Sequence, residues 1–147
     1  MALTVLAKGS PIVKEAVASE AITPGHLIEF GGSNDVQKHS TAGGNARKVF
    51  AREQDYIGQD IDAACAAGDR IPYLSARQGD EVRALLGSGT SEYNIGKGDA
   101  LESDGTGKLQ KHGTAATGDS HNLVGFAMEA VDNSGGSEAV RITIEVA

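Results

Sequence analysis

Lysine beside histidine is the pairing in this chain best suited to chemistry, and it occurs twice. "VQKH" runs from Val36 to His39, and "LQKH" runs from Leu109 to His112. Imidazole titrates near neutral pH and is the commonest metal ligand. A zinc or copper site needs several imidazoles, thiolates or carboxylates converging on one point. The four histidines (His26, His39, His112 and His121) show neither His-x-x-x-His nor Glu-x-x-His spacing. Only pseudo-symmetry between the two tetrapeptides would bring His39 and His112 together. The expectation is no metal and no cofactor.

Other candidate chemistry is weaker still. Cys65, in "DAACAAG", is the single cysteine. It has no partner for a disulfide and no nucleophile motif around it, and it reads as a small buried hydrophobe. "SDGTGKLQ" (103–110) contains Gly-Lys, but a phosphate loop needs a Gly five residues earlier and Ser or Thr after the Lys. Glu102 and Leu109 hold those places, so an Asp-Gly hairpin turn is the better reading. "GSGTSEYNIGKG" (87–98) is glycine-rich but leads into a strand pattern, not the helix of a dinucleotide fingerprint. Asp55, Asp60, Asp62, Asp69 and Asp80 are scattered, and no Gly-x-Ser-x-Gly elbow occurs. No catalytic residue is predicted, and the chain is not expected to be an enzyme.

The tetrapeptides belong to a longer repeat. "ITPGHLIEFGGSNDVQKHSTA" (22–42) aligns with "IGKGDALESDGTGKLQKHGTA" (95–115) at a constant separation of 73 residues. Identities fall at Ile22/Ile95, Gly25/Gly98, Glu29/Glu102, Gly32/Gly105, Gln37/Gln110, Lys38/Lys111, His39/His112, Thr41/Thr114 and Ala42/Ala115. Ile28/Leu101 and Val36/Leu109 are apolar exchanges. Each copy reads as a supersecondary unit, with a Gly turn, a short strand, a reversing turn and a return strand. "VFARE" (49–53) answers "VGFAME" (124–129) after a small insertion. A reactive site rarely comes in two sequential copies with the same turns attached. The repeat is therefore architectural, and the Lys and His ride along on its surfaces as exposed strand residues.

The elements that hold these units are short. "PIVKEAVAS" is ambiguous between strand and helix, whereas Val140, Ile142, Ile144 and Val146 alternate with polar residues as in a half-buried strand. "IGQDIDAACAAGDR" (57–70) predicts one short helix, capped by Asp60 and stopped by Gly68. Leu3, Val5 and Ala7 alternate like a strand with nothing nearby to pair, which suggests an extended N-terminal arm over 1–18 ahead of a β domain over 19–147. Among 147 residues there are 20 glycines, 4% aromatics and no Trp, so the core must be aliphatic and the turns many. Together these features predict a mainly β barrel or sandwich. The net charge of −7, without a basic block, argues against direct nucleic-acid binding. No window approaches the roughly 20 apolar residues of a membrane span. The N-terminus lacks a secretory pattern, so the expected site of synthesis is a cytoplasm.

"AITPGHLIEF" through "VQKH", together with "GDALESDGTGKLQKHGTAATGDSHNLVGFAMEAVDN", resembles the head decoration (cement) proteins of tailed bacteriophages, in particular the lambda-like family. The features carrying the likeness are Thr23-Pro24-Gly25 leading into a strand, Lys108-Leu109, Gly113-Thr114, and Val124-Gly125 before an apolar strand. "GDRIPYLSARQGDEVRALLGSG" (68–89) is similar to longer members. The resemblance implies a β-clip or β-tulip-like barrel. It also implies a homo-oligomer, a trimer ahead of a dimer, bound to the phage major capsid protein on the outside of the virion shell. The duplicated hairpin and an apparent 57–90 insertion depart from the shorter members. An arm whose Leu3, Val5 and Ala7 add to a sheet edge of a capsid subunit would suit that role, since several tethered arms bind at high effective concentration. The alternative is a ligand-binding or enzymatic β-clip domain. It rests on the likeness of the Ile95–Asp99 turn to sugar-acid-processing modules.

Overall fold

The computed structural model describes residues 4–113 and 122–147. Among these residues, thirteen strands follow in order: β1 (Leu6–Lys8), β2 (Ile12–Ala18), β3 (Ile28–Phe30), β4 (Asp35–Lys38), β5 (Val49–Ala51), β6 (Arg70–Ser75), β7 (Glu81–Leu86), β8 (Asn94–Ile95), β9 (Ala100–Ser103), β10 (Leu109–Lys111), β11 (Gly125–Ala127), β12 (Val131–Asp132) and β13 (Val140–Val146). Among the described residues, the helical turns are two short 3-10 segments, Asp55–Ile57 and Ser91–Tyr93.

The duplication is much wider than the hairpins. The first half forms a sheet in the order β3-β4-β2-β6-β5, and a bridge between Leu27 and Phe50 brings its edges together. The second half repeats this as β9-β10-β7-β13-β11, closed by the β11–β9 ladder. The pairing is equivalent throughout. Ala18↔Val36, a parallel pair, matches Leu86↔Leu109. Lys14↔Tyr73 matches Val82↔Ile144, and Glu29↔Gln37 matches Glu102↔Gln110. Phe50↔Leu74 matches Phe126↔Glu145. The chain is thus two five-stranded barrels in tandem, with β1 and the β8–β12 ribbon added.

Each barrel fills its interior with the aliphatic residues the composition demands. Ala16, Ala18, Ile28, Val36, Ala51, Ile71 and Tyr73 pack inside the first. Ala84, Leu86, Leu101, Leu109, Ala127, Ile142 and Ile144 take the same places in the second. Leu27, Phe50 and Leu74 point out of the first barrel yet are fully buried, because they join the core cluster of the second.

Three sequence expectations are corrected. The predicted helix over 57–70 is a loop. Asp60 Oδ1 accepts from the Asp62 amide and Asp69 Oδ2 from the Ala66 amide, which diverts donors from a helical ladder. The Cys65 amide donates to the Ile22 carbonyl, and Ile61 and Cys65 are drawn into different cores. A helix of two turns cannot compete with that. The 57–90 segment is no insertion, since it carries β6 and β7, the closing strand of one barrel and the opening strand of the next.

The N-terminal segment is not a free arm. β1 pairs antiparallel with β7 through Leu6↔Val82, and β2 is a full member of the first barrel. Val5 is completely buried. Its amide donates to Glu53 Oε2 at 3.1 Å, and its carbonyl accepts from the Arg83 amide at 2.7 Å.

Candidate interaction surface

The repeated polar residues are structural in both barrels. In the first, Gln37 Nε2 donates to Glu29 Oε1 at 2.7 Å, and His39 Nε2 lies 3.8 Å from Glu29 Oε2. In the second, Gln110 Nε2 donates to Glu102 Oε1 at 3.0 Å, and His112 Nδ1 lies 3.4 Å from Glu102 Oε2. Strand alternation places Gln and His on one side of the return strand, facing the Glu across the hairpin. Glu102 is fully buried and also accepts from the Gly113 amide at 3.2 Å. Glu29 is more open. Burial raises its pKa, but hydrogen bonds from Ser40 and Gln37 outweigh this and hold it below the usual carboxylate value.

His39 does not meet His112; it reaches the other barrel instead. Its Nε2 faces the Asn45 carbonyl at 3.1 Å, an acceptor only, so Nε2 carries the proton. Nδ1 then accepts from Ser103 Oγ at 2.7 Å. Both rings are thus part of the scaffold. His121, Leu3, Thr114 and Ala115 lie outside the described residues. Among the described residues, no group of three or more His, Cys, Asp or Glu is placed to hold a metal.

The first turn of each repeat is also conserved in geometry, with different chemistry at its cap. The His26 amide donates to the Thr23 carbonyl, and the Asp99 amide donates to the Gly96 carbonyl. In return, the Thr23 amide donates to His26 Nδ1 at 2.9 Å, and the Gly96 amide donates to Asp99 Oδ2 at 2.8 Å. Gly25 and Gly98 take the left-handed conformation this turn requires, at φ 96° and 90°. Accepting at Nδ1 requires a neutral His26. Burial lowers its pKa to about 4, helped by the positive charges of Lys38, Lys108 and Arg141.

The junction between the barrels joins one face of the first to one end of the second. The Leu27 amide donates to the Gly107 carbonyl at 2.8 Å, and the Gly107 amide donates to the His39 carbonyl at 3.0 Å. Arg141, from β13, donates to the Pro24 and Ile61 carbonyls and pairs with Asp62 at 3.2 Å. A cleft of about 630 Å³ opens along this seam, with His26, Asp62, Leu85, Lys108, Glu138 and Arg141 among its walls. In this lining Arg141 holds the seam, and the His26 ring caps the turn at Thr23.

Exposed apolar side chains lie elsewhere. On the first barrel they are Ile12, Val13 and Val17 of β2 and Phe30 at the end of β3, the last with Arg47 stacked 4.7 Å over its ring. Tyr56 and Ile57 project from the 3-10 turn, and Phe126 from β11. Of the residues expected to dock on a partner, Val5 is core and Ala7 is half-buried in β1. The exposed strand residues escaped sequence reasoning because "IVKEAVA" is apolar on both faces. Its second face is legible only once Ala16 and Ala18 are seen to point inward.

No protein-family model matches the chain, and no curated protein matches it. Among solved structures it is similar to the head fiber gp8.5 N base of bacteriophage phi29. That likeness is at 15% identity, covers 94% of this chain and 95% of that one, and has a TM-score of 0.58. At that identity the likeness establishes a shared β-barrel fold over nearly the whole length of both chains.

Proposed function

We propose that this protein is a structural component of a tailed-phage virion. In this reading it binds the outside of the capsid as an oligomer, a trimer ahead of a dimer, and clamps neighbouring major capsid subunits against internal DNA pressure. The observation that carries the reading is the end-to-end fold likeness to a phage head fiber base. It agrees with the independent sequence resemblance to head decoration proteins.

The physical character of the molecule supports the same role. Its repeated Glu, Gln and His residues are engaged in scaffold hydrogen bonds, while apolar side chains such as Val13, Val17 and Phe30 stand exposed on strands. Contiguous exposed apolar residues on a small protein mark contact surfaces. These strands are proposed to carry contacts within the shell, with further copies of the chain as well as with capsid subunits. Val5 cannot serve, because its side chain is already inside the core.

The test is electron microscopy of the intact particle together with mass spectrometry of purified virions. Density for two linked barrels on the outer shell, with the chain present in stoichiometric amount, is the expected result. A virion without the chain, or with it inside the shell, would refute the reading.

A further inference from the structure

We infer that the contact between the two barrels inside the chain is also used between chains, so that the second barrel of one copy docks on the first barrel of the next. This rests on the oligomeric part of the reading above and names the surfaces that make the oligomer.

The tandem duplication gives every surface in one barrel a counterpart in the other. Inside the chain, a lateral face of barrel one meets an end of barrel two. The equivalent lateral face of barrel two, and the equivalent end of barrel one, therefore remain open. On the lateral side, Leu27 and Phe50 correspond to Ala100 and Phe126. Leu27 and Phe50 are fully buried, whereas Phe126 is 38% exposed.

On the end side, Leu85 corresponds to Val17 and Ser103 to Phe30. Leu85 and Ser103 are buried in the seam, but Val17 is 36% and Phe30 41% exposed. The open end is thus more apolar than the buried one it mirrors. An exposed aromatic ring on each of the two open surfaces is what an unsatisfied copy of the seam should show.

The polar parts of the seam have counterparts too. Gly107, whose carbonyl receives the Leu27 amide, is matched by Asn34. Asn34 has φ 61°, against 79° for Gly107, and is the only non-glycine residue at positive φ among the described residues. The backbone shape that presents the carbonyl is kept, at a residue type that tolerates the left-handed conformation. Arg141, which binds the Pro24 carbonyl, is matched by Arg70, which is exposed. One counterpart departs: buried Leu74 becomes exposed Glu145, so the contact between copies is more polar than the one within.

The two surfaces differ from each other and lie on the same chain. Such a head-to-tail contact is heterologous; it closes into a ring or runs on, and either leaves no isolated two-fold dimer. This gives it a signature that can be read by complementation.

Phe126→Glu and Phe30→Glu are each made, their folds verified by circular dichroism, and their masses measured by analytical ultracentrifugation without any shell present. The parent is expected to exceed monomer mass and each variant to be a monomer. Mixed one to one, the variants are expected to form a heterodimer that stops there, since each supplies the one intact surface the other lacks. Separately, Ala100→Cys on one chain and Asn34→Cys on another should cross-link on mild oxidation, mirroring Leu27 and Gly107, while either variant alone should not. A monomeric parent, variants that keep the parent's mass, or a mixture that stays monomeric and uncross-linked would overturn the inference. Shell binding is scored apart from this, so an oligomer that ignores capsids would count against the proposed function alone.

Discussion

The cap of the first repeat turn makes the stability of this protein depend on acid in a way that can be measured at one residue. His26 must be neutral to accept the Thr23 amide, and burial with three neighbouring cations lowers its pKa to about 4. The unfolded chain takes up the proton near the ordinary value of 6.5, and the folded chain only near 4. Below 6.5 the unfolded state therefore binds more protons, and stability falls as the pH drops across that window, levelling off beneath it. A fall from 6.5 to about 4, at about 1.36 kcal/mol per pH unit, amounts to roughly 3 kcal/mol. That is a large share of the 5–15 kcal/mol, roughly, that holds a domain together.

The second barrel supplies the control, because Asp99 caps the equivalent turn. His26→Asp should keep the turn and sit favourably among Lys38, Lys108 and Arg141. It should remove the loss of stability between pH 6.5 and about 4.5. Carboxylates held low in the fold, Glu29 and Asp99 among them, contribute only at lower pH, since their ordinary values are 4.5 and 3.8. Urea unfolding of parent and variant at a series of pH values measures the difference, and the imidazole NMR signals give the His26 pKa directly. Equal slopes in parent and variant, or an imidazole titrating at 6 or above, would refute the assignment.

Other outcomes follow from the same repeat logic. Glu102→Ala, which strands the buried Gln110 side chain and removes the acceptor of the Gly113 amide, should cost about 2–3 kcal/mol in urea unfolding, and Glu29→Ala about 1 kcal/mol. Gly25→Ala should destabilise far more than Gly98→Ala. A Cβ at Gly25 would land on the Arg141 guanidinium and lie 2.9 Å from the Arg83 carbonyl, whereas Gly98 has open space and bears only the positive-φ penalty of about 1–2 kcal/mol. Deleting residues 2–8 should lower the melting temperature and not leave the fold untouched, because it removes the buried Val5 and the β1 pairing. The Tyr93 phenol, pushed up to about 12 by burial and the Asp104 carboxylate, should ionise late in an ultraviolet titration. Stability should be lost between pH 10 and 12, as the unfolded chain ionises first.

Much of the architecture was legible in the residues. The recurrence of Glu, Gln, Lys and His at one spacing fixed not only the existence of two hairpins but their common register, since Glu29 faces Gln37 as Glu102 faces Gln110. The weaker match of "VFARE" to "VGFAME" corresponds to β5 and β11, which occupy the same place in their barrels. The repeat is architecture as expected, but its histidines were expected as exposed strand residues, whereas His39 is buried between Ser103 and the Asn45 carbonyl.

What stayed hidden was the extent of the duplication and its consequence. β2 and β7 share a position but hardly a residue: inward Ala16 and Ala18 match Ala84 and Leu86, and outward Glu15 matches Arg83. Barrel interiors tolerate exchange among aliphatics, so identity decays where only volume is selected. It survives where a side chain must make one particular hydrogen bond, as in the Glu–Gln pairs.

The amino-acid order determined the β class, the aliphatic core, the turns and the hairpin register, because each depends on neighbours within a few residues. Which alternating strand lies inside, whether the N-terminal residues stand free, and which of two equivalent faces is covered were decided only by the packing of one barrel on the other. Val5 and Leu27 look like ordinary strand residues in sequence. They are core because contacts across the seam exclude water from them, and such contacts between distant positions leave no local periodicity to read.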